Sequence, residues 1–173
     1  IQCFQGHRPA LGPGALDGHF LHPRREMTEM VFFAEIEKPE IVVTSSGTSS
    51  WHVGEGAHHF SQETWKLAGY THSHTARQFT AESFDEVDLI LAMDQSNHDN
   101  ILQLARHAQD RAKVAMLRSF DPGADSIEVP DPWGNEIDDY QEVLAMLEAA
   151  ISGLLESLRR LVFTQHLCCV IHL

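Results

Sequence analysis

Val87-Asp88-Leu89-Ile90-Leu91-Ala92-Met93-Asp94, residues 87–94, is a nearly unbroken apolar run closed by a residue that caps helices. A strand covered on both faces keeps no polar side and reads this way, whereas a half-exposed strand alternates. Asp94 can accept from the first N–H groups of a helix running to about Arg106. Towards the C-terminus, Ala112-Lys113-Val114-Ala115-Met116-Leu117 predicts another strand. Asp121-Pro122-Gly123 and Val129-Pro130-Asp131-Pro132-Trp133-Gly134 then make a long irregular connection, because proline cannot donate to a ladder. Asp138 with Gln141 suggests a capping box, and the apolar stripe from Val143 to Leu158 predicts a helix to about Arg160.

Towards the N-terminus, Ile41-Val42-Val43-Thr44-Ser45 is a β-branched strand that breaks into the polar loop Ser46-Gly47-Thr48-Ser49-Ser50. Ser61 is expected to cap a helix carrying Trp65 and Leu67, with Gly69 as its stop. Met27, Met30, Val31 and Ala34 recur at helical spacing, which predicts a helix over Arg25–Glu37 before Pro39. Residues 1–22 carry Gly6, Gly12, Gly14, Gly18, Pro9 and Pro13 with no sustained period, and read as loop. Strands alternating with helices imply a parallel sheet with helices on both faces, and ligands beyond the carboxyl ends of its strands.

The 173 residues suit one domain with a single core. With 12 basic against 25 acidic residues the formal charge is −13, which argues against nucleic acid or an anionic membrane as partner. The three cysteines, Cys3, Cys168 and Cys169, have no framework spacing, so a reducing cytoplasm is the expected compartment. No apolar run approaches the roughly 20 residues that span a bilayer. Cys169 is followed by four residues and so misses the prenylation pattern. Palmitoylation of the Cys168-Cys169 pair has little to support it.

Glu26-Met27-Thr28-Glu29-Met30-Val31-Phe32, Ser45-Ser46-Gly47-Thr48 with Trp51-His52-Val53-Gly54, His74-Thr75-Ala76-Arg77-Gln78, Met93-Asp94-Gln95-Ser96-Asn97 and Asp131-Pro132-Trp133 occur here in one order. Together they resemble the low molecular weight protein tyrosine phosphatases, over residues 26–160. The resemblance implies a three-layer, flavodoxin-like fold with a four-stranded parallel sheet, the first strand poorly defined in this chain. Residues 1–25 then stand as a divergent, irregular segment and residues 161–173 as an apolar tail. It also implies hydrolysis of a phosphotyrosine protein or small aryl phosphate through a cysteinyl phosphate, with no cofactor and no metal. That chemistry needs a low-pKa thiolate, a ring of N–H donors with an Arg fork, and an acid for the leaving phenolate.

By this resemblance Asp131 is the acid, and later the base that activates water. Asp-Pro also favours turns, so spacing alone leaves a purely structural Asp131 open. Trp51 and Trp133 would wall the phenyl ring, or pack half-buried as Trp commonly does. Ser45 and His74 would brace the phosphate loop, with His74 otherwise an exposed loop histidine, one of the twelve histidines of the chain. Arg24 falls at the phosphate-binding arginine, and the nucleophile's position falls on Gly18, which cannot attack phosphorus. Pro23 removes one N–H donor from the cradle, and Arg25 stands where the family has a serine. The abrupt onset at Glu26 is what a shifted reading frame or displaced exon upstream would leave.

Cys3-Phe4-Gln5-Gly6-His7-Arg8 has a gap of four residues where the family has five, and reads as coincidence. The function read from the sequence is therefore a protein tyrosine phosphatase by family. The alternative is a non-catalytic binder of phosphate or phosphotyrosine that clamps the anion through Arg24. A thiol-dependent arsenate reductase ranks below both, since it needs the same missing loop cysteine. A phosphohistidine on His19 or His22 has no matching motif.

Overall fold

β3, Leu89–Ala92, divides its side chains between two buried clusters. Leu91, with Met93 just beyond, packs with Val43, Trp65, Leu117 and the long C-terminal helix. Ile90 and Ala92 pack with Phe79, Phe84, Ile101 and Met116. Alternate residues buried on opposite sides require cover on both faces, hence three layers. The computed structural model describes residues 2–5 and 42–164. The expected helix over Arg25–Glu37, Gly18, Arg24 and the tail cysteines lie outside the described residues.

In chain order the elements are β1 (Gln2–Gln5), β2 (Val42–Ser45), α1 (His59–Leu67), α2 (Ser83–Glu86), β3, α3 (Gln95–Leu104), α4 (Ala108–Ala112), β4 (Val114–Met116), a 3-10 turn (Leu117–Phe120) and α5 (Ile137–Thr164). The sheet has the order β2-β1-β3-β4. β3 and β4 are parallel, with Ile90 opposite Val114 and Ala92 opposite Met116. β1 runs antiparallel to both neighbours, with Gln2 opposite Ser45 and Leu91, and Gln5 opposite Val42. β2, β3 and β4 therefore point the same way, as expected, and β1 does not.

Two expectations are corrected here. Residues 1–22 are not loop throughout, because Gln2–Gln5 is a strand. Nor is the sheet wholly parallel. Between β2 and β3 there is a slot whose backbone N–H and C=O groups would otherwise go unpaired in the middle of the sheet. Four extended residues close that ladder in either direction, and no β-branched run is needed when position supplies what propensity does not.

The other differences are local. α1 is capped by His58, whose ring accepts from the Phe60 N–H at 3.4 Å, and the expected cap Ser61 is buried inside the helix. Gly69 does end it, at a φ of +84° that suits a residue without Cβ. α3 begins at Asp94 as read but ends at Leu104, and the short α4 was not foreseen. Asp138 lies in the first turn of α5, which runs on to Thr164. Leu147, Ile151 and Leu154 of α5 are buried, and each such side chain contributes roughly 1.5–3 kcal/mol by leaving water. This outweighs any difference of helix propensity along α5.

Candidate active site

β2 ends at Ser45, where the chain turns into the polar loop. Two side chains of the 74–78 segment hold that end. Ser45 Oγ lies 3.2 Å from His74 Nδ1, and Arg77 Nε donates to the Ser45 carbonyl at 3.0 Å. The loop itself is stitched to the same segment. Gly47 donates to Arg77 O at 2.8 Å and accepts from Phe79 N at 2.7 Å, while Gly54 donates to Ala76 O at 2.8 Å. The loop after β2 is thus fixed by backbone bonds to a segment some thirty residues later, counted from Gly47 to Arg77.

Asp94 follows β3 and caps α3, accepting the Asn97 N–H at 2.6 Å. The connection after the 3-10 turn returns to the same corner. Val129 N–H donates to Met93 O at 2.8 Å, and the Glu128 carboxylate accepts the Gln95 N–H at 2.9 Å. Asp131 comes next but one after Val129, and its Oδ1 accepts the Trp133 N–H at 3.2 Å, closing a turn. Thr48, Asp94, Ser96, Asn97, Arg118 and Asp131 are among the residues that line one cleft of about 840 Å³.

The cleft sits beyond the carboxyl ends of β2 and β3, as sheets of this kind place their ligands. It joins Asp131 with the loop after β2. Ser45 and His74, read from the sequence as braces of the phosphate loop, lie within hydrogen-bond distance of each other. Trp51 and Trp133 are exposed, 83% and 58% respectively, and neither is among the residues lining the cleft. Arg24 and Gly18 lie outside the described residues. No group of three or more His, Cys, Asp or Glu side chains among the described residues could hold a metal ion. No described helix is long and apolar enough to cross a membrane.

Sequence reasoning missed Arg118, which is buried at the cleft's edge. It also missed Arg77 as a second support for Ser45. In Leu117-Arg118-Ser119 only a charged residue abutting a buried strand could have drawn notice to Arg118. Such residues are almost never fully buried unless paired.

A sequence profile described as "Low molecular weight phosphotyrosine protein phosphatase" matches residues 22–163. A low molecular weight protein-tyrosine-phosphatase of Streptomyces coelicolor is 39% identical over 143 residues, covering 79% of this chain and 87% of that protein. A crystal structure of a protein tyrosine phosphatase from Entamoeba histolytica matches with a TM-score of 0.70 at 26% identity, over 80% of this chain and 88% of that one. An arginine phosphatase from Geobacillus stearothermophilus matches with a TM-score of 0.72 at 25% identity, over 84% of this chain and 92% of that one. With a match over most of its length, a curated relative at 39% identity and a shared three-layer fold, this chain belongs to the low molecular weight phosphotyrosine protein phosphatase family of hydrolases.

Proposed function

We propose that the cleft receives the phosphorylated side chain of a phosphotyrosine protein, or a small aryl phosphate, with Asp131 as its acid. Asp131 would protonate the leaving phenolate oxygen, then take a proton from the water that clears the phosphorylated intermediate. The observation that carries this reading is the placement of Asp131 on a turn lining the cleft opposite the loop after β2. Ser45, held through His74 and Arg77, supplies a fixed wall for the phosphate loop. Arg24 would clamp the phosphate's equatorial oxygens, and Trp51 and Trp133 would close on the ring from their exposed positions. Phosphotyrosine is preferred to phosphoarginine because the relative named for tyrosine is 39% identical and the structure named for arginine 25%.

A second reading has its own support. The family's in-line attack needs a thiolate, and Gly18 stands at that position. This favours a domain that binds phosphotyrosine without turning it over. One set of measurements separates the two. Turnover of p-nitrophenyl phosphate at about pH 5.5, falling at least about a hundredfold in Asp131→Asn, supports hydrolysis. A folded protein that turns over nothing yet binds phosphate or phosphotyrosine in a calorimeter supports the binder. Absence of both sinks the cleft as a phosphate site, and faster loss of phosphate from phosphoarginine would reverse the choice of substrate.

A further inference from the structure

We propose that Arg118 is a positioning residue for Asp131, holding the connection that carries the acid against the carboxyl end of the sheet; this rests on the reading of Asp131 given above. Arg118 lies on the 3-10 turn directly after β4 and is 6% exposed. Its Nη1 donates to the Glu128 carbonyl at 3.1 Å and its Nη2 to Asp125 Oδ1 at 3.2 Å. Both acceptors belong to the stretch just before Asp131. Of the two, the Glu128 carbonyl matters more, because the Asp125 side chain is 92% exposed and an ion pair there is screened by water.

Glu128 is thereby held from two sides. Arg118 takes its carbonyl, and the N–H of Gln95 at the start of α3 takes its carboxylate. The next residue, Val129, is bonded to Met93 O. Only Pro130, with its φ fixed by the ring, separates these anchors from Asp131. A carboxyl that must meet a leaving oxygen needs such fixed neighbours, since small misplacements cost rate steeply. Stability alone is a poor reason for the arginine. Its Nε is buried with no hydrogen-bond partner among the described residues, and its contact with the mostly buried Asp121 carboxylate is long, at 3.9 Å, so its two short bonds both go to the connection before Asp131.

The test uses Arg118→Met and Arg118→Lys in the whole chain, read first by amide hydrogen exchange. Exchange at Val129 and Trp133 should quicken by more than about tenfold in Arg118→Met, the loss expected for charged hydrogen bonds. Arg118→Lys should fall between, because an ammonium lacks the fork that spans two acceptors. The Ile90 amide, which donates to Lys113 O at 2.8 Å within the sheet, should not change. Unaltered protection at Val129 and Trp133, or equal acceleration at Ile90, overturns the proposal.

The second readout is turnover of phenyl phosphate against p-nitrophenyl phosphate. A displaced acid harms the poorer leaving group more, so Arg118→Met should lose at least about tenfold more rate on phenyl phosphate. Equal losses on both would mean that Arg118 acts elsewhere. If the unsubstituted chain turns over neither ester, the catalytic reading of Asp131 fails by itself, and the exchange data alone decide whether Arg118 fixes the connection.

Discussion

Two hydroxyls on α1, Ser61 Oγ and Thr64 Oγ1, are buried without a hydrogen-bond partner among the described residues. Each keeps the cost of leaving water and gains nothing for it. Thr64→Val keeps the branched shape and removes the polar atom. It should stabilise the fold by about 1 kcal/mol, read as a higher urea midpoint at unchanged slope. An equal or lower midpoint would mean that the hydroxyl is satisfied after all. His58, three residues before Ser61, carries a pH dependence. Its ring caps α1, lies 3.0 Å from Tyr140 Oη and stacks on that ring at 5.5 Å. Burial, and then the neighbouring His59, hold its pKa below the ordinary value of about 6.5. On acidification the unfolded chain takes this proton first, so stability is full above about pH 6.5 and is lost as pH falls towards the folded-state pKa. The carboxylates with lowered pKa, such as Asp85 and Asp99, weaken the fold only in a more acid window, below about pH 4. The urea midpoint should therefore drop between pH 7.5 and 5.5, and His58→Gln should flatten that step. A midpoint equally steep in the variant would assign the step to another group.

Between elements, α5 packs against the 3-10 turn at Gly153 with no room for a side chain. A Cβ added at Gly153 would stand 2.0 Å from the Phe120 carbonyl oxygen, a backbone atom that cannot swing aside. Gly153→Ala should destabilise by at least about 2 kcal/mol, although alanine ordinarily favours a helix over glycine by about 1 kcal/mol. Thermal unfolding checks the sign, and a neutral or stabilised variant would show that the turn can yield. Because Arg118 stands on that turn, the same variant should also loosen Val129 in exchange. What could be read from the sequence divides along similar lines. Asp94 was legible as a cap, since its carboxylate acts three residues ahead and needs no partner from elsewhere. The His58 cap was not, because a histidine ring carries no such habit and Ser61 has the better composition. β3 could be read from its own apolar run, but β1 could not, because Gln2-Cys3-Phe4-Gln5 has its place from the gap between two other strands. The place of Asp131, on a proline-flanked turn lining the cleft, could be anticipated from its motif. Arg118 could not be, since its partners Glu128 and Asp125 are close only once the connection folds back.

At the scale of the whole molecule, the direction of β1 decides what Cys3 can do. The cleft collects at the carboxyl ends of β2 and β3, where Ser45 and Asp94 stand. β1 enters beside that edge, with Gln2 opposite Ser45, and leaves at the far one, with Gln5 opposite Val42. Three residues of strand separate the two edges by about 10 Å. The described strand that follows Cys3 therefore runs away from the cleft edge, from Gln2 opposite Ser45 to Gln5 opposite Val42. A phosphate loop needs its strand to end at the cleft and a helix to begin there. Cys3→Ala, which replaces one small apolar side chain by another, should leave phosphate affinity and any turnover of aryl phosphates unchanged within about threefold. The measurement is a calorimetric titration beside a p-nitrophenyl phosphate assay of the same preparations. Abolished turnover would place the thiolate at Cys3, and that is possible only with β1 reversed to run parallel with β2 and β3.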